Sequence, residues 1–400
     1  MRQHVLLFSF DSLQPPENLK PEKDFINLLI KALNICFVIL CLALTNANAQ
    51  NSNEVFEPKI LLPQIQVEQN FRSDDVNTFQ VSAVSGQFIE INADQFGVDI
   101  KLTANSPNGN QISQVNAPTL WFGREELLFI ATETGVYTIK ADAARTGKFA
   151  GRYNIVLKNQ RFPNAIDLEH VEAVRLFSEA RILIDAQQNA SDNLQKAKTK
   201  LEAASEKYQK AGNSRGVAAS LLLTGRCQSR IGSRRQALSI FENSLALWRL
   251  IKDSAGEAVL LNEIGAAFES LGEPNKSFEY LNQALLLRQT NLDRLGEALT
   301  LNTICRLYNG IGAMQQGLET CRKALSIRQD GDPTGDVATY NFFGNIYASI
   351  GDYKQSAIAF ENAIAKFDEA GSSLNRQNRI GAISNLGGVY LELKQCDTAL

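Results

Sequence analysis

Histidine is almost missing from this 400-residue chain, which has only His4 and His170. A Ser/His or Cys/His nucleophile pair would have to use His170, and no cysteine lies near it in sequence. The H-E-x-x-H, C-x-x-C, P-loop and G-x-G-x-x-G patterns are absent. The expectation is a chain without catalytic residues, metal or cofactor. An excess of one charge is also lacking: 40 Lys and Arg face 43 Asp and Glu, for a net charge of -3. No basic field therefore points to nucleic acid or an anionic membrane surface. Proline is scarce after position 162, where only Pro163, Pro274 and Pro333 occur, the later two in short connections.

Long apolar runs are limited to one, Ala32 to Leu44. Lys31 precedes it and Thr45-Asn46-Ala47-Asn48-Ala49 follows. A basic flank, a short apolar core and a small-x-small end predict a secretory signal cleaved after Ala49. A bilayer-spanning helix needs about 20 residues, so an uncleaved anchor is the weaker alternative. The expected location is outside the cytoplasm, in the periplasm, on the surface or secreted, with no membrane association after cleavage. Six cysteines reduce to four in the mature chain: Cys227, Cys305, Cys321 and Cys396. Cys305 and Cys321 fall on two helices that pack together. An export signal makes a disulfide there conceivable, but buried thiols acting as small hydrophobes are the expectation.

From about 58 to 160 the pattern is one of short alternating runs. Phe79–Val84, Phe88–Ile91, Val98–Leu102, Tyr137–Ala141 and Tyr153–Leu157 alternate with period two, and Leu127–Ala131 reads as a central strand. Turn signals at Ser85-Gly86, Ser106 to Asn110, Thr134-Gly135 and Gly147 to Gly151 separate them. Seven or eight strands in an antiparallel sandwich are expected for a module over 50–160. Asp74, Asp75, Asn77, Asp94 and Asp99 offer hard oxygen ligands but no metal-site spacing, and read as solvated turn residues. Trp121-Phe122 reads as a core or edge anchor. The succession Asp75-Val76-Asn77-Thr78-Phe79, Gly86-Gln87, Val98-Asp99-Ile100, Ser106 to Gly109, Glu133 to Tyr137 and Gly151-Arg152-Tyr153 resembles the bacterial pre-peptidase C-terminal domain. That family implies a jelly-roll-like module of exported proteins.

From 161 to 400 the chain repeats itself. Leu261-Asn262-Glu263-Ile264-Gly265 corresponds to Leu301-Asn302-Thr303-Ile304-Cys305, Tyr340-Asn341-Phe342-Phe343-Gly344 and Ser384-Asn385-Leu386-Gly387. Three residues on stands an aromatic: Phe268, Tyr308, Tyr347 or Tyr390. A turn residue comes seven on, at Gly272, Gly312, Gly351 and Lys394; Gly225 and Gly232 keep the spacing one unit earlier. Counted from the turn, positions +5, +9 and +12 read Ala237/Phe241/Ser244, Ser277/Leu281/Ala284, Gly317/Cys321/Ala324 and Ser356/Phe360/Ala363. Ala197/Leu201/Ala204 fits a degenerate first unit. These spacings share one helical face, where small residues let antiparallel helices approach. The turn residues at 232, 272, 312, 351 and 394 recur about every 40 positions. The pattern resembles the tetratricopeptide repeat, in the long-helix form of kinesin light chains. It implies a right-handed α-solenoid of about five repeats plus an incomplete sixth, following the β module.

A stack of such hairpins buries a continuous core and leaves a groove lined by the first helix of each unit. The residues expected on that wall are Leu222, Arg226 and Ser229; Asn262, Ala266 and Glu269; Asn302, Arg306 and Asn309; and Asn341, Asn345 and Ala348. Amides both donate and accept, which suits an extended peptide backbone, and Arg suits a carboxylate. The kinesin-light-chain resemblance implies that Asn262, Asn302 and Asn341 grip peptide main chain; the alternative is that these residues bond to the next repeat. The chain stops at Leu400, in mid-repeat, and reads as truncated. Signal, β module and long repeats together resemble the N-terminal part of proteins ending in a CHAT domain, a caspase-like cysteine peptidase. The expected function is a scaffold for protein or peptide partners; a sensing half of such a peptidase and a surface adhesin are the alternatives. Oligomeric state is open.

Overall fold

The computed structural model describes residues 58–116, 122–144, 150–186, 190–328, 333–370 and 376–394. The predicted signal, Trp121 and Cys396 lie outside the described residues. Among these residues nine strands come first: β1 (Lys59–Ile60), β2 (Gln66–Arg72), β3 (Val76–Ala83), β4 (Phe88–Phe96), β5 (Ile100–Asn105), β6 (Gln111–Val115), β7 (Phe122–Ile130), β8 (Gly135–Ala143) and β9 (Ala150–Arg161). They form two sheets, ordered β1-β3-β8-β5-β6 and β2-β9-β4-β7, antiparallel except for β1 beside β3. The alternating apolar positions read from the sequence point inward. Phe79, Val81, Ile89, Ile91, Ile100, Leu102, Leu127, Phe129, Tyr137, Ile139, Tyr153 and Ile155 make one buried core. β2 and β6 were not legible as strands, because Gln66–Arg72 and Gln111–Val115 are dominated by polar residues. Phe122 begins β7, pairing with Phe96. Asp99 departs from the expected solvated turn: it is 1% exposed. Asp94 is held by Arg124 through two hydrogen bonds of 2.7 and 3.0 Å.

Among the described residues eleven helices follow: α1 (Ala165–Asp185), α2 (Ala190–Lys210), α3 (Ser214–Ile231), α4 (Arg234–Leu250), α5 (Ser254–Ser270), α6 (Pro274–Thr290), α7 (Arg294–Gly310), α8 (Met314–Arg328), α9 (Pro333–Ser349), α10 (Tyr353–Ala370) and α11 (Arg376–Glu392). They stack as hairpins in a tetratricopeptide-like solenoid. Gly232, Gly272, Gly312, Gly351 and Lys394 all adopt positive φ, between 58° and 103°, ending the first helix of each unit. The marked glycines make room for a partner ring or branch. A Cβ on Gly225 would stand 2.4 Å from Phe241, on Gly265 2.6 Å from Leu281, and on Gly344 2.5 Å from Phe360. Ala237, Ala284, Ala324 and Ala363 are fully buried on the second helices. Ser277 and Ser356 donate to the carbonyls of Gly265 and Gly344 at 2.7 Å each.

In the fourth hairpin Cys305 and Cys321 replace the glycine and its large partner. Their sulfurs are bonded to one another, contrary to the expectation of free thiols. The reason is geometric: the two positions always face each other, and two cysteines there bring sulfur against sulfur.

The sandwich docks on the helices. Phe88 and Leu128, on the outer face of β4 and β7, belong to the same buried cluster as Val174 and Phe177 of α1. β7 also touches α5. His170 sits in this joint. Asn213 caps α3 by accepting from the Gly216 amide at 2.9 Å. Its Nδ2 donates to Glu126 of β7 at 2.7 Å and approaches His170 Nε2 at 2.8 Å. Burial pushes the Glu126 carboxyl up, but His170, Asn213 and Arg215 together hold it below its ordinary value.

Candidate partner-binding surface

The first helices of the hairpins, α3, α5, α7 and α9, carry the predicted wall residues. Their places differ along each helix. The position three before the glycine or cysteine mark turns inward: Leu222 is fully buried, Asn262 is 8% exposed and Asn302 is 5% exposed. Asn302 is spent inside the array. Its Oδ1 accepts from Thr339 at 2.8 Å, and its Nδ2 donates to the Gly335 carbonyl at 3.3 Å, both on α9. Asn262 Oδ1 lies 3.5 Å from the Thr303 hydroxyl of α7. Asn341, one unit on, is half-buried, and its Oδ1 has no hydrogen-bond donor among the described residues.

The positions one and four after the mark remain at the wall. Arg226 Nη2 meets Glu263 at 2.8 Å, and Arg306 Nη2 meets Glu269 at 2.5 Å. Burial raises the Glu269 carboxyl, with Arg306 opposing. Each guanidinium is thus neutralised by a carboxylate of α5, so neither stands as an open clamp for a ligand carboxylate. Sequence comparison of repeats missed this because Glu263 and Glu269 have no acidic counterpart in the neighbouring units. Asn345 accepts from Asn385 of α11 at 3.2 Å, in an exposed contact. Asn309 is half-buried, and its Oδ1 also lacks a donor among the described residues. Toward α9 and α11 the amides of Asn345 and Asn385 are open to solvent, whereas the Oδ1 atoms of Asn309 and Asn341 are closed to it.

A second periodic signal went unread in the sequence: Asn213-x-x-Gly216, Asp253-x-x-Gly256 and Asp293-x-x-Gly296. In each, the side chain accepts from the glycine amide, at 2.9, 3.0 and 2.8 Å, capping α3, α5 and α7. The glycine also admits a large residue from the end of the preceding helix. Tyr208 lies over Gly216, Trp248 over Gly256 and Arg288 over Gly296. Among the described residues there is no group of three or more metal-binding side chains, and no helix is long and apolar enough to cross a membrane.

Residues 337–365 match the family model of the tetratricopeptide repeat. No curated protein is matched by the chain. Among solved structures, BtubC (BKLC) from P. vanneervenii is similar at 17% identity and a TM-score of 0.42, over 59% of this chain and 87% of that one. A kinesin light chain with nearly identical TPR-like repeats from Podosopora anserina is similar at 18% identity and a TM-score of 0.39, over 49% of this chain and 97% of that one. NprR, solved in complex with its cognate peptide NprX, is similar at 14% identity and a TM-score of 0.45, over 59% of this chain and 65% of that one.

Proposed function

We propose that the chain is a scaffold that binds an extended segment of a partner protein along the inner wall formed by α7, α9 and α11. The observation that carries this reading is the solvent-exposed amide pair Asn345 and Asn385, in which Asn385 donates to Asn345 at 3.2 Å between α9 and α11. Each amide of that pair keeps a donor or an acceptor beyond the one it uses, which a peptide backbone can engage. With Arg226 and Arg306 already matched by Glu263 and Glu269, the segment bound there need not be acidic. Peptides selected from a displayed random library on the full chain provide the test. Asn345→Ala with Asn385→Ala should weaken them by about tenfold, two amide contacts at roughly 0.5–1.5 kcal/mol each, with helicity unchanged. Unchanged affinity would sink the assignment.

We infer further that the chain works outside the cytoplasm. The apolar segment Ala32–Leu44 and the Cys305–Cys321 bond support this, because structural disulfides persist in oxidising compartments. Protein recovered from the cell exterior or periplasm should begin at Gln50 on N-terminal sequencing. Recovery of an intact N-terminus from the cytoplasm would overturn the inference.

A further inference from the structure

The hairpin α7–α8 is closed differently from α3–α4, α5–α6 and α9–α10. In those three a large apolar side chain fills the place opposite a glycine: Phe241 at Gly225, Leu281 at Gly265 and Phe360 at Gly344. In α7–α8, Cys321 and Cys305 stand at those places, fully buried and bonded to each other across a sequence separation of 16. Without the bond, α8 has little apolar anchorage of its own. Its buried residues are Gly317, Leu318, Cys321, Ala324 and Arg328, of which Leu318 alone is a large apolar one. α7 is also held from its other side, since Ile304 and Leu307 share a buried cluster with Leu281 of α6. α9 is seated on the bonded hairpin. Phe343 and Ile346 lie in the same cluster as both cysteines, and a Cβ on Gly317 would stand 2.9 Å from Ile346 Cδ1.

We propose that the Cys305–Cys321 bond is a redox-sensitive latch: oxidised, it holds α8 on α7 and seats α9; reduced, it releases both. A dithiol supplies the chemistry. One of its thiolates attacks a cysteine sulfur, which breaks the S–S bond and forms a mixed disulfide; the other cysteine leaves as a thiolate and takes up a proton. The second thiolate of the reductant then attacks the mixed disulfide. The reductant closes as a disulfide, and the remaining cysteine is freed and protonated. Two unbonded sulfurs need more room than two bonded ones, and a close-packed site resists that expansion. The thiol pair therefore pushes α8 away from α7, and Ile346 loses its seat at Gly317. Burial confines attack to moments when α8 has opened locally, so reduction traps the open form. The sandwich core and the hairpin α3–α4 belong to other buried clusters and keep their structure. Because α9 carries Asn345, release also disturbs the amide wall; that effect rests on the function proposed above, and hydrogen exchange within α8 and α9 does not.

Amide hydrogen exchange of the full chain, with and without excess dithiothreitol, tests the latch. Peptide-level thiol labelling should show Cys305 and Cys321 reduced while the rest of the chain stays folded. Exchange should then accelerate at least about tenfold in α8 and α9, within what a bond closing so short a loop supplies. The sandwich, α3 and α4 should exchange as before. The double variant Cys305→Gly with Cys321→Leu installs the pairing of Gly265 and Leu281, and its exchange should be indifferent to dithiothreitol. Four results overturn the proposal: a bond that survives dithiothreitol in the folded chain, reduction that leaves α8 and α9 exchanging as before, acceleration that spreads equally through the sandwich, or a double variant that responds like wild type.

Discussion

The early and the later joints of the array meet the same packing demand with opposite chemistry. At the first two joints an aromatic from the end of the second helix, Tyr208 or Trp248, covers the glycine that opens the next hairpin. At the third the same place holds Arg288, and at the fourth, 40 positions on, Arg328. The early joints belong to one continuous apolar cluster that runs from Phe88 in the sandwich to Ala284. From α6 on, the core among the described residues divides into three smaller clusters. A buried guanidinium interrupts apolar contact, and its desolvation is repaid only when every donor is matched. Arg328 donates to Thr339 at 2.8 Å. Arg288 is 2% exposed, yet its Nε and Nη2 have no hydrogen-bond partner among the described residues, and Asp293 stands 3.8 Å away. Burial accordingly lowers the Arg288 pKa, with Asp293 and Glu263 opposing. The lesson is that a repeat specifies shape at a joint more strictly than polarity.

Truncating an aromatic plug should break the comparison most visibly. Trp248→Ala should cost about 3–5 kcal/mol, because the ring is buried between Gly256 and Arg215 and its removal leaves a cavity. Urea unfolding followed by far-ultraviolet circular dichroism measures it, and a loss under about 1 kcal/mol would mean the joint relaxes around the gap. Filling the glycine comes next. Gly256→Ala brings a methyl to 2.2 Å from the Trp248 ring, and the forced shift should cost about 1–3 kcal/mol in the same assay.

Arg288→Met should go the other way, leaving stability unchanged or raising it by about 1–2 kcal/mol, since an apolar chain of similar length removes two unpaired buried donors. A clear destabilisation would show that the arginine joint is as well satisfied as the aromatic ones. The smallest effect belongs to the polar contact between sandwich and array. The Glu126 pKa is depressed in the folded chain, so its stabilisation is complete above the ordinary glutamate value and is lost as pH falls through the lower, folded one. Between about pH 6 and about pH 3, wild type should lose about 1 kcal/mol or less more than Glu126→Gln does. Equal losses would remove the carboxylate from the joint.

Much of the molecule was legible because its marks are local. Gly232, Gly272, Gly312 and Gly351 must reverse the chain at positive φ, and Gly225, Gly265 and Gly344 must admit a neighbour within their own hairpin. Each requirement spans fewer than about 20 residues, so it recurs with the repeat and can be read by spacing. The candidate wall was only partly legible. Asn262, Asn302 and Asn341 are equivalent in sequence, but Thr339 claims Asn302, and Thr303 approaches Asn262, while Asn341 has no donor among the described residues.

The sequence by itself determined the order of a β module and a helical array, the period of the hairpins and the turns that close them, because periodic burial and backbone conformation depend on near neighbours. Only the tertiary structure decided which polar groups are already spent. Arg226 finds Glu263 37 positions away, and Asn213 finds Glu126 87 positions away. It likewise brought Cys305 against Cys321. Hydrogen bonds and ion pairs are satisfied by whatever group arrives in space, and no spacing along the chain reports which group that is.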